Sequence, residues 1–139
     1  MIPTTDRYRD QVQAILRIAA GLAFTSHGAQ KILGWFGGFG PSGGTAELMS
    51  RYGVAGVIEL AGGMALVFGL GTRLVAFLAS GQMAVAYFLV HSAGGSIWWW
   101  ANRGELPMLY SFVWLFFAAA GPGAWSLDGM LARRRPAAG

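Results

Sequence analysis

Residues 53–92 read GVAGVIELAGGMALVFGLGTRLVAFLASGQMAVAYFLVHS, and their charged groups are Glu59 and Arg73. Each half, 53–71 and 73–92, approaches the ~20 apolar residues that a helix needs to cross a hydrocarbon core of about 30 Å. Only Gly71 and Thr72 separate them, so the two must form a tight antiparallel helical hairpin.

Two more apolar blocks flank the hairpin. Residues 11–34 form a candidate first span that contains Arg17 and closes on His27 and Lys31. It is too long and too polar at that end for a signal peptide, which would finish in a small-residue cleavage site. Residues 105–122 form a candidate fourth span, with Pro107 in the first turn, where a missing N–H costs nothing, and a stop at Gly121 and Pro122. The connecting segments are rich in glycine and aromatics: Trp35 to Gly44 on one side, Trp98 to Arg103 on the other.

Composition agrees. Of the 139 residues, 55% are hydrophobic and 12% charged, about half the charge fraction of a soluble domain. The expected fold is all-α: one domain, residues 1–139, forming an integral membrane four-helix bundle with short outer loops. Arg7, Arg9, Arg73 and Arg133 to Arg135 fall on one face, and Arg51 and Arg103 on the other. That bias places both termini in the cytoplasm of a bacterial inner membrane, N-in and C-in. A net charge of +4 does not imply nucleic acid, because three of the ten cations form a tail suited to anionic lipid. No cysteine is present, which excludes disulfide and thiolate chemistry by this chain.

An ionisable group deep in a bilayer costs at least ~2.5 kcal/mol, so each one needs a partner or a task. Glu59 lies about 9 Å below the outer boundary by the helical rise, and His27 lies at similar depth on the first span. Lys31, His91 and Glu105 lie nearer the rim, and Tyr87 is one turn from His91. Polar groups from all four spans therefore gather in the outward half. Glu59 is read either as an ion-pair partner of Arg17 or Lys31 or as a functional carboxylate. Arg17, about 9 Å inside the inner boundary, is expected to meet Asp128. Gln82 reads as a helix-to-helix hydrogen bond. The small residues Ala76, Ser80 and Ala84, with Ala61 and Ala65, allow close helix approach or a homo-oligomer contact. His27, Glu59, His91 and Glu105 are a donor set that suits iron, manganese or zinc. No H-x-x-E or E-x-x-H pair occurs within one helix, which disfavours a metal, and bis-histidine haem is disfavoured further.

At these residues the sequence resembles the DoxX family of small four-helix bacterial membrane proteins. The resemblance rests on Arg17-x3-Gly21, His27-Gly28-x2-Lys31, Glu59-Leu60-x-Gly62-Gly63 and Gly69-Leu70-Gly71-Thr72-Arg73. It continues through Ala86-Tyr87-Phe88 with His91, Gly104-Glu105, and Gly121-Pro122-Gly123-x-Trp125-Ser126-Leu127-Asp128. It implies a membrane subunit of a quinone-linked redox system, in sulfur handling or oxidative defence, with the electron-transfer machinery on a partner protein. In that reading His27, Glu59, His91 and Glu105 carry protons to and from a quinone. Tyr87, Lys31 and Trp98 would contact it, the last two alternatively serving as headgroup and belt anchors. The alternative is a non-catalytic scaffold, or a binder of a lipid or small hydrophobe, whose polar groups only pair internally.

Overall fold

The computed structural model describes residues 8–134; Arg7 and Arg135, counted in the orientation bias, lie outside them. Helix α2 (Arg51–Phe68) opens where the Ser50 hydroxyl accepts the Gly53 N–H at 3.1 Å, the usual N-cap arrangement. It closes at Gly69, in the left-handed region at φ 66°, where the Leu70 N–H donates to the Ala65 carbonyl at 2.9 Å. Gly71 is left-handed too, at φ 58°, so the chain reverses within three residues and enters α3 (Thr72–Gly94). The hairpin read from residues 53–92 is thus formed.

The remaining helices are α1 (Arg9–Leu33), the short α4 (Trp99–Asn102), α5 (Glu105–Ala120) and α6 (Leu127–Arg134). Among the described residues the one strand-like contact is an isolated bridge between Phe39 and Gly44. Both α2 and α3 are long and apolar enough to cross a membrane, with mean hydropathies of 1.3 and 1.6. The other two expected spans fall short by that measure. Helix α5 is apolar but has 16 residues, about 24 Å of rise, and the 25-residue α1 is diluted by Arg17, His27, Lys31 and their polar neighbours.

Helix α1 packs on α2 through glycines. A Cβ on Gly28 would lie 2.2 Å from the Leu60 nitrogen, and one on Gly63 would lie 2.4 Å from Thr25 Oγ1. Of the small residues read on α2, Ala61 is exposed, and Gly56 and Gly63 occupy the buried face. Helix α3 packs on α5 as its small residues suggest: Ala76 and Ser80 are buried, and Ser80 and Ser111 each donate a hydroxyl to the other's carbonyl, at 2.8 and 3.2 Å. Phe24, Tyr110 and Trp114 join α1 to α5, with ring centroids 5.3 to 6.0 Å apart.

Helix ends at the α2–α3 turn are held by side chains from distant segments. Arg17 is fully buried, and its five donors reach the carbonyls of Leu66, Val67, Pro122, Ala124 and Trp125 at 2.6 to 3.1 Å. It saturates the last turn of α2, where carbonyls lack helical partners and the helix dipole is negative. Arg73 does the same for α5, donating to Ala118 and Ala119. Asp128 accepts the Gly71 and Thr72 N–H groups at 2.7 and 2.8 Å, so the cap on α3 comes from 57 and 56 residues along the chain rather than from the helix's own flank. The expected direct Arg17–Asp128 ion pair is therefore corrected: both groups are engaged by backbone, and only a longer-range attraction links them. Burial pushes the Asp128 pKa up, but the hydrogen bonds from Thr72 and Gly71 and the field of Arg17 outweigh it and leave the group below its ordinary value.

Candidate functional site

At the opposite end, α2 and α3 both depart from α geometry. Residues Ile58–Gly62 and Tyr87–His91 form π turns, a local widening that recurs at functional sites. Glu59 sits on the first, and Tyr87 and His91 on the second.

Glu59 is 3% exposed. Its Oε2 accepts from Lys31 Nζ at 2.6 Å, and its Oε1 accepts from Gln82 Nε2 at 3.3 Å. One carboxylate thus ties α1, α2 and α3 together. The contact depends on glycine at the crossing: Gly28 lets α1 reach the π turn, and a Cβ on Gly56 would lie 2.8 Å from Lys31 Cβ. Of the two ion-pair partners weighed for Glu59, the structure selects Lys31.

The pair borders a cavity of about 1180 Å³, whose lining also includes His27, Gln82, His91, Phe24 and Tyr110. The His27 ring meets the Tyr110 ring edge-on at 6.3 Å, and neither side chain has a hydrogen bond to another described residue. His91 Nδ1 donates to the Asn102 carbonyl at 3.2 Å, which leaves Nε2 as an acceptor. Four of the expected site residues, His27, Lys31, Glu59 and His91, thus line one space.

The other three lie apart. The Tyr87 hydroxyl donates to the Ile97 carbonyl, and Tyr87 and Trp98 line a separate apolar hollow of about 380 Å³ with Ile97 and Phe112. Trp98 stacks on Trp100 at 4.8 Å. Glu105 is exposed in the first turn of α5 and is not part of the cavity lining. Among the described residues no three His, Asp or Glu side chains converge as a metal site. Tyr110 is a site residue that the sequence reading missed. Its signal is one of the two hydroxyls, with Ser111, inside the apolar run of α5, on the buried face it shares with Trp114 and Phe117.

Two membrane-length helices and a largely apolar cavity, lined by α1, α2, α3 and α5 and carrying a few polar groups on its wall, define a small helical membrane protein. The chain belongs to the DoxX family, whose model matches residues 12–92. It is 43% identical over 129 residues to an uncharacterised protein of Haemophilus influenzae, covering 88% of this chain and 92% of the relative. It is 31% identical to the inner membrane protein YqjF of Escherichia coli, over 86% of this chain and 92% of that protein. The uncharacterised membrane protein Rv3486 of Mycobacterium tuberculosis is 32% identical, with 89% and 83% covered. No solved structure matches.

Proposed function

We propose that the protein is a four-span inner-membrane subunit, N-in and C-in, that binds a quinone head in the cavity between α1, α2, α3 and α5. The observation that carries this reading is the cavity itself: about 1180 Å³ of largely apolar space with a buried ammonium–carboxylate pair and two imidazoles at its wall. Reduction of a quinone takes two electrons and two protons. His27, His91 and the Lys31–Glu59 pair are placed to hydrogen-bond the carbonyl oxygens and to carry the protons. The electrons come from a partner protein, since this chain has no cysteine and no cluster of metal ligands among its described residues. The arginine bias supports the orientation, and the exposed apolar side chains of α2, α3 and α5, such as Val57, Phe77, Phe88, Phe112 and Leu115, suit contact with lipid.

A non-catalytic scaffold is the second reading, favoured by the satisfaction of Glu59 by Lys31 and Gln82. The purified protein with its co-purifying chains separates the two. Under the quinone reading Glu59→Gln and His91→Ala abolish quinone-dependent turnover beyond any loss of folded protein. Under the scaffold reading they reduce complex recovery and any activity in equal measure.

A further inference from the structure

The cavity is not closed on the side between α2 and α3. The two helices touch near their turn, where a Cβ on Gly62 would meet Val75 at 3.4 Å, and Gln82 spans to Glu59 further out. Beside that bridge the wall falls away: a Cβ on Gly81 would meet nothing within 4 Å, although Gly81 lines the cavity. Ala61 and Ala65 on α2 and Phe77 and Leu78 on α3 line the same largely apolar space, a trough between the two helices. From Val54 to Ala65 the trough follows α2 for about 16 Å of rise.

This geometry pairs a polar end with an apolar run. At the polar end Tyr110 is 8% exposed and its hydroxyl has no hydrogen-bond partner among the described residues, and His27 beside it has none either. Both groups line the cavity, where the Gln82 Oε1 is also buried without a partner, so the arrangement suits a ligand that brings its own hydrogen-bonding head. The trough continuing from that point calls for the same ligand to carry a hydrocarbon chain.

We propose that the α2–α3 trough is the tail channel of the site: a lipid-dissolved ligand enters sideways from the bilayer, its polar head reaching Tyr110, His27 and Lys31. Its tail lies over Gly81, which acts as a specificity residue by being absent as a side chain. The proposal rests on the quinone reading for the head and adds the class of ligand, long-tailed rather than water-borne.

Two probes with one head test it, menadione and the same naphthoquinone carrying a four-isoprene tail, in equilibrium binding to the full-length protein in detergent micelles. Gly81→Leu puts a side chain into empty space and improves helix propensity, so the fold should persist. Ala61→Leu narrows the trough from the other wall. Both variants are expected to weaken the tailed probe tenfold or more and to leave menadione within twofold. Tailed binding unchanged in both variants, or both probes weakened alike, overturns the tail channel while leaving the head site standing. If the unaltered protein binds neither probe, the quinone reading fails and the channel with it.

Discussion

Lys31 and Glu59 show how much one contact can decide. The pair is almost dry, with side-chain exposures of 17% and 4%, so removing one partner strands a charge in low dielectric. Lys31→Met should therefore destabilise the protein by about 3–5 kcal/mol. Adding Glu59→Gln to Lys31→Met should recover more than half of that loss, since the stranded charge goes with it. Unfolding in mixed micelles measures both, and a double variant no more stable than the single one would show that the pair acts through packing alone. Arg17 obeys a different rule. Its planar fork of donors matches five carbonyls, and a lysine has three donors from one point, so Arg17→Lys should lower stability despite keeping the charge. The sequence showed that Arg17 had to be satisfied but not how. An acidic partner was the obvious inference, whereas carbonyls at helix ends carry no side-chain signature and become visible only once helices are placed.

At the scale of elements, the glycines govern how close α1 comes to α2. Gly28→Ala would put a methyl against the Leu60 backbone, which cannot swing aside as a side chain would. Overpacking of this kind costs about 1–3 kcal/mol, and the separation of Lys31 from Glu59 should appear as lost ligand binding at a temperature where the variant is still folded. The hairpin was legible because apolar length and a two-residue gap are properties of the chain itself. The π turns were not, since a π turn is one extra residue accommodated under tertiary packing, and nothing in Ile58–Gly62 announces it. Tyr87 shows the consequence: helical spacing put it one turn from His91, and the widened turn and the Ile97 carbonyl took its hydroxyl to another hollow. The cap on α3 supplies a pH test. Asp128 has its pKa depressed in the folded protein, so its contribution is present above the ordinary carboxylate range and is lost as pH falls through the lowered value. The melting temperature should drop on acidification below the ordinary carboxylate range, and Asp128→Asn should flatten that slope.

For the whole molecule, the arginine distribution and the fold make a joint statement about sidedness. The absence of native cysteine makes it simple to check. Ser42→Cys, in the loop between α1 and α2, should react with an impermeant maleimide on intact cells. Leu131→Cys, on α6, should react only after lysis; labelling of both from the same side would overturn the proposed topology. The exposed leucine, phenylalanine and tryptophan side chains over the outside of the molecule were implicit in composition, because 12% charge cannot wet such a surface. Which of the polar residues share a cavity was not implicit. A shared place in the outward half grouped Glu105 with Glu59, whereas Glu105 is exposed and outside the cavity lining.

The two ends of the fold are also held by different numbers of cross-links. Around the α2–α3 turn, Arg17, Arg73, Gln13 and Asp128 stitch distant chain segments through backbone hydrogen bonds. At the far end α2 and α3 are linked across the gap by the Glu59–Gln82 contact. The molecule is built like a tweezer, clamped at the base and compliant at the tips, so thermal motion would widen the jaws without loosening the hinge. Amide exchange should accordingly be slow in Leu66 to Arg73 and faster toward His91, and a molecule arriving between the jaws would need to break a single hydrogen bond rather than unfold a helix.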